Sequence, residues 1–299
     1  MIALDTTYFP FCVVGAVASG KSNYITVMLN ELERNPPPGL TLHTDHIPTR
    51  QRQNNNYNEL YIEHKPLGAN RLGSTTPQFW YLQNRNMQSG SYIPTSTFTL
   101  FDGSGEDIER LGPNELWSRY ISACEGIIIT LDPVTFKSIS RGGVIDLEDM
   151  LSSRGNLKDV NALKPAVTLA GELAHNIKRA RGIDIRKQLD IPVAVVITKF
   201  DMVINNSAFS NSIIKSPGPA MQNGRVNMQE LMDVHDVINY WLSEMKETAF
   251  IEAMHNNFSD FCFFGVSSLG SLPKDLLNIT PHRVLDPVLW LFKKAKLLQ

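Results

Sequence analysis

Apolar positions along this chain fall into two alternating patterns. Short runs of β-forming residues lie at Phe9–Val14, Ile127–Leu131, Val193–Thr198 and Phe261–Ser267. Runs that are apolar at nearly every position predict strands buried on both faces. Between them, apolar residues recur three and four apart. Ile25, Met28, Leu29 and Leu32 predict a helix, which Asn35-Pro-Pro-Pro-Gly39 ends because proline lacks an amide donor and clashes with the preceding turn. Further helices are predicted over Glu115–Cys124 and over Asp159–Arg181, where Pro165 can shift the start. Another opens at the capping-box spacing of Asn227-Met-Gln-Glu230 and reaches about His255, and a closing helix covers His282–Lys296. Strands alternating with helices predict an α/β fold, a mostly parallel doubly wound sheet with helices on both faces.

Two strands depart from that alternation. They lie near Gln78–Gln83 and Thr97–Phe101, and the stretch around Ser89-Gly90-Ser91 suits a hairpin, so one antiparallel edge strand is expected. Thr44–Asn58 carries Arg50, Arg52 and Asn54-Asn-Asn56 without a period, and reads as an exposed, mobile loop. Segments 134–158 and 204–226 are polar and rich in Gly, Ser and Asn. The expectation is a single domain over 1–299 with insertions near 43–75, 134–158 and 204–226.

Composition narrows the function classes. The chain has 299 residues, 42% hydrophobic and 19% charged, with a net charge of −2. That balance argues against a dedicated basic nucleic-acid binder. Cys12, Cys124 and Cys262 are widely spaced, which predicts neither a metal pair nor a disulfide framework and points to a reducing cytoplasm. No apolar run approaches the ~20 residues that cross a bilayer, and no leader segment is expected.

The chemistry concentrates at predicted strand ends. Gly15-x-x-x-x-Gly20-Lys21-Ser22 follows a strand and opens a helix. Glycine lets the backbone curl so that amides point at an anion, and the helix N-terminus adds partial positive charge. Lys21 then reaches the outer phosphates and the Ser22 hydroxyl suits magnesium. A match arises by chance in roughly one chain per hundred of this length. Phe98-Thr-Leu-Phe-Asp102-Gly-Ser-Gly105 ends a strand in an aspartate, followed by a glycine amide placed for a γ-phosphate. Val195-Val-Ile-Thr198-Lys199-Phe200-Asp201 delivers Lys199 and Asp201 to a strand's carboxyl end, where α/β sheets bind ligands. A carboxylate accepting two N–H groups suits guanine, whereas adenine leaves it unpaired. Phe263-Phe-Gly-Val-Ser267-Ser268-Leu269 ends a fourth strand in small polar residues whose amides suit the guanine oxygen.

In this order the four elements resemble the TRAFAC-class P-loop GTPases, the Ras-like and translation-factor-like group. Asp102-Gly-Ser-Gly-Glu106, Leu131-Asp-Pro133 and Asp286-Pro-Val-Leu-Trp-Leu291 further resemble a bacterial double-GTPase group found in conflict-system operons. The resemblance implies a P-loop GTPase fold, guanine nucleotide (GTP/GDP) and magnesium as ligands, a molecular-switch role and a protein partner or effector. It implies nucleotide contacts from Gly15, Ala18, Ser19, Gly20, Lys21, Ser22, Asn23, Gly105, Thr198, Lys199, Asp201, Ser267, Ser268 and Leu269. Ser22 and Asp102 would hold magnesium, with Thr75 or Thr76 closing over it.

The pattern also departs from that family. Glu106 stands where many members carry a water-orienting glutamine, and Val17 where glycine gives room at the loop. Glu106 either takes a proton from water or leaves turnover poor. Arg71 is a candidate arginine for the transition state, beside Lys21. The leading expectation is a slow GTPase. The alternatives are a GTP-binding scaffold with negligible hydrolysis and, further off, an ATP-using P-loop protein.

Overall fold

The computed structural model describes residues 8–16, 18–68, 77–84, 96–102, 116–136, 138, 164–210, 212–215, 218, 220–270 and 277–298. The strands are β1 (Tyr8–Gly15), β2 (Leu40–His43), β3 (Gln78–Asn84), β4 (Ser96–Asp102), β5 (Gly126–Leu131), β6 (Val193–Ile197), β7 (Met221–Gln222), β8 (Arg225–Val226) and β9 (Phe261–Gly265). The α-helices are α1 (Lys21–Arg34), α2 (Ile47–Tyr57), α3 (Leu116–Ala123), α4 (Ala166–Arg181), α5 (Met228–Glu244), α6 (Thr248–Asn257) and α7 (Asp286–Lys294).

Seven strands form one sheet in the order β2-β3-β4-β1-β5-β6-β9. β4, β1, β5, β6 and β9 run parallel. β3 is antiparallel to both of its neighbours, so it sits one place in from the edge, and β2 closes that side. The doubly wound α/β fold expected from the alternation is the one observed.

Strand periodicity sorts the core into two layers. Phe11 meets Phe98 and Phe292 of α7, while its neighbour Cys12 turns to Cys124, beside Arg181 of α4. On β9, Phe263 packs on Phe250 of α6 and Phe264 on Trp290 of α7. Helices therefore cover both faces. Trp80, Trp241 and Trp290 are buried as the apolar patterning required.

Three expectations need correction. Thr44–Asn58 is not a loop: α2 fills most of it and continues as a π-helical turn over Asn58–Ile62. This helix lacks an apolar stripe because polar bonds hold it. Gln53 Nε2 donates to the Thr26 carbonyl (3.3 Å), Asn56 Nδ2 to Thr26 Oγ1 (3.1 Å), and Thr49 Oγ1 accepts from the Phe79 amide (3.0 Å). The helix expected from Asn227 to His255 is two helices, because Lys246 adopts a left-handed backbone at φ 60° between them. The closing helix starts at Asp286, after a left-handed Arg283 (φ 53°) and with Pro287 in its first turn. Pro165 does set the start of α4.

Within 204–226, β7 and β8 form a small hairpin around Asn223 and Gly224, both at positive φ. This segment is tied to the body by buried charge. Arg283 donates to the Ile213 carbonyl (2.5 Å), to Glu230 Oε1 (2.7 Å) and to Asp286 Oδ2 (2.7 Å), and Glu230 Oε1 also accepts from the Gly218 amide (3.0 Å). Burial pushes the Asp286 carboxyl up to about 6 against the pull of Arg283, with Glu230 adding to the rise.

Candidate nucleotide site

The carboxyl ends of β1, β4, β5, β6 and β9 share one edge of the sheet, and the sequence motifs converge there. β1 ends at Gly15 and α1 begins at Lys21. Gly15 must be glycine, since a Cβ there would lie 2.0 Å from Thr130 Oγ1 and 2.7 Å from the Thr130 carbonyl oxygen. Ala18 (φ 62°) and Gly20 (φ 79°) both take the left-handed backbone, a conformation that costs a non-glycine residue roughly 1–2 kcal/mol.

The loop is clamped from neighbouring strands, which offsets that cost. Lys199 Nζ donates to the Ala18 carbonyl (3.1 Å) and Thr198 Oγ1 to the Ser19 carbonyl (2.5 Å). The hydroxyls of Ser19 and Thr130 share a hydrogen bond of 2.9 Å. A trans peptide points its N–H opposite to its C=O, so the Gly20 amide faces away from Thr198. Together with the start of α1, this is the arrangement that receives an anion.

The end of the site at the Gly15–Lys21 loop carries three charged side chains. Asp102, 1% exposed at the end of β4, lies 3.6 Å from Lys21 Nζ through Oδ1. Its Oδ2 accepts from Arg52 Nη2 at 2.7 Å. Asp102 stands in register with Val13, just below the phosphate loop. Magnesium suits a donor set of Ser22 and Asp102. It takes one or two protein oxygens and fills its shell with water and phosphate. A cluster of three or more His, Cys, Asp and Glu side chains is not needed for that, and none occurs among the described residues.

The other end is built from β6 and β9. Lys199, left-handed at φ 49°, places its ammonium between the loop and Asp132 Oδ2 (2.8 Å). Asp201 Oδ1 accepts a short hydrogen bond from Ser267 Oγ, which in turn accepts from the Gly270 amide (3.0 Å). One oxygen of the carboxylate is thereby fixed. Ser267 exchanges two backbone bonds with His282, whose imidazole is held below its usual range by burial and by Arg283, against the pull of Asp201. Ser268 is buried beside them, and Leu269 is half-buried and accepts from the Thr280 amide through its carbonyl.

The fold thus brings together Gly15, Ala18, Ser19, Gly20, Lys21 and Asp102 at one end and Thr198, Lys199, Asp201 and Ser267 at the other. Asn23 turns elsewhere, accepting from the Leu67 amide (3.1 Å). Val17, Arg71, Thr75, Thr76, Gly105 and Glu106 lie outside the described residues. Three contributors were given no site role in the sequence reading, although Asp132 was quoted in Leu131-Asp-Pro133. Thr130 is the one polar position in an apolar strand and Asp132 follows that strand directly, so both left a faint signal. Arg52 left none, being one of several polar residues in an aperiodic stretch.

No protein-family model matches this chain, and no curated protein matches it. Among solved structures it resembles the Arl6 BBS3 small GTPase from Trypanosoma brucei with bound GppNp, at 13% identity over 98% of this chain and 100% of that one, with a TM-score of 0.41. A likeness at that identity and score decides no function, which rests on the residues above. No helix among the described residues is long and apolar enough to cross a membrane.

Proposed function

We propose that this chain binds a guanine nucleotide with magnesium and hydrolyses GTP slowly to GDP and phosphate, acting as a switch toward a protein partner. The observation that carries the reading is the meeting, along one sheet edge, of the Gly15–Lys21 loop, Asp102 and the Asp201–Ser267 pair. In this reading the loop amides and Lys21 hold the phosphates and bear the charge that spreads over them as water attacks in line. Ser22 and Asp102 would hold magnesium, which would supply charge neutralisation on the outer phosphates. Asp201 reads the two N–H groups of guanine, and the Ser267 hydroxyl fixes its rotamer.

The deciding experiment is a titration of the full chain with fluorescent GTP and ATP analogues, with and without magnesium. Guanine-selective, magnesium-sensitive binding is expected. Asp201→Asn should lower GTP affinity by at least tenfold and raise preference for xanthine nucleotides, because an amide cannot accept both N–H groups. Equal binding of ATP and GTP, or indifference to Asp201→Asn, would overturn the guanine reading. A single-turnover assay then separates slow hydrolysis from binding alone.

A further inference from the structure

We propose that Arg52 is an internal counter-ion that competes with the divalent cation for Asp102, so that α2 sets how much magnesium the nucleotide needs. The inference rests on the guanine-nucleotide reading above and extends it to a residue that no sequence motif marks.

Both oxygens of Asp102 face a cation. Lys21 lies 3.6 Å from Oδ1, and Arg52 donates to Oδ2 at 2.7 Å. The carboxylate is 1% exposed, so the two contacts act with little solvent screening. A divalent ion directed at the same carboxylate competes with these two cations for its two oxygens. One side chain must then yield. Lys21 is 8% exposed and is wanted by the phosphates, whereas the Arg52 side chain is 21% exposed and has a route to solvent.

Arg52 is not at Asp102 by chance of a floppy segment. Thr49, one turn earlier on α2, is bonded to the Phe79 amide of β3. Gln53 and Asn56 are bonded to Thr26 of α1. Arg50 is paired with Glu33 of α1. The helix is therefore sewn to elements on both sides of the phosphate end, and the guanidinium is delivered from a fixed base. A planar fork on a carboxylate is also a stronger, more directional contact than an ammonium makes.

The sign of the effect separates competition from mere support. If Arg52 only props the site open, its loss weakens magnesium binding. If it competes, its loss strengthens it. The test is a magnesium titration of fluorescent GTP-analogue binding by the full chain. The wild type is compared with Arg52→Ala, Arg52→Gln, Arg52→Lys and the control Arg50→Ala. Arg52→Ala and Arg52→Gln should lower the half-saturating magnesium concentration about tenfold, the scale of one charge-assisted hydrogen bond. Arg52→Lys should lower it less, and Arg50→Ala should leave it unchanged. An unchanged or raised half-point in both neutral variants overturns the proposal, as does wild-type binding that ignores magnesium. Wild-type protein that binds no nucleotide at any magnesium concentration overturns the guanine reading as well, so the two failures are told apart.

Discussion

Gly15 shows how one missing Cβ shapes the site. The end of β1 runs so close to β5 that a methyl group would enter the space of both the Thr130 hydroxyl and the Thr130 carbonyl. Gly15→Ala should therefore destabilise the fold by about 1–3 kcal/mol, the usual cost of overpacking, as read by denaturant unfolding. Adding Thr130→Ala should recover only part of that loss, since the carbonyl at 2.7 Å remains. Full recovery would show that the hydroxyl alone forbids the side chain. The motif glycine was legible in the sequence, but its reason was not. The pattern points to phosphate, whereas the contact is with a neighbouring strand. Thr198 and Lys199 carry a similar double meaning, since both bond loop carbonyls as well as standing where a base would lie.

At the scale of elements, apolar periodicity located β1, β5, β6 and β9 and α1 within a residue or two, because packing decides those segments. It missed β2, where Leu40 and Leu42 alternate into the core over too few residues to signal a strand, and α2, whose placement depends on hydrogen bonds to distant partners rather than on an apolar face. Thr49 is the clearest case. Its hydroxyl accepts from the Phe79 amide and sits 2.8 Å from His46 Nδ1. Thr49→Ala leaves a half-buried amide without that acceptor, at a cost of about 1 kcal/mol. Faster hydrogen exchange at Phe79 is expected, with little change at the buried amides of β6. Uniformly faster exchange would mean that α2 supports the whole sheet rather than its edge. The break between α5 and α6 was illegible for another reason. Lys246 is not a residue whose sequence announces a left-handed backbone. The Asn223-Gly224 turn lay inside a segment read only as a polar insertion, since strands of two residues on either side give no alternation.

At the scale of the molecule, the Arg283–Glu230–Asp286 cluster joins two distant stretches of chain, 283–286 and the start of α5, in the buried interior. Asp286 titrates higher in the folded protein, at about 6 against an ordinary 3.8. A carboxyl raised on folding binds its proton more tightly in the native state, so its contribution to stability is present below about pH 4 and is lost as pH climbs to about 6. Relative to Asp286→Asn, the wild type should lose about 3 kcal/mol between those limits, measured by urea unfolding across pH. A pH-independent difference would place the native titration near the ordinary value. None of this was visible in the sequence, where Asp286 stood inside the predicted closing helix and in the Asp286–Leu291 run that carries the family resemblance.

The order of the strands has a consequence for how the chain is made. Among the described strands β1 is made first, and it lies in the middle of the sheet. Phe11 pairs with Leu100 and Gly126, 89 and 115 positions later. At ~5–20 residues per second, the apolar segment Phe11–Val14 waits on the order of ten seconds for both neighbours. During synthesis the central strand of the sheet is thus, among the described strands, the one longest without a mate, and its shelter in that interval must come from outside the fold.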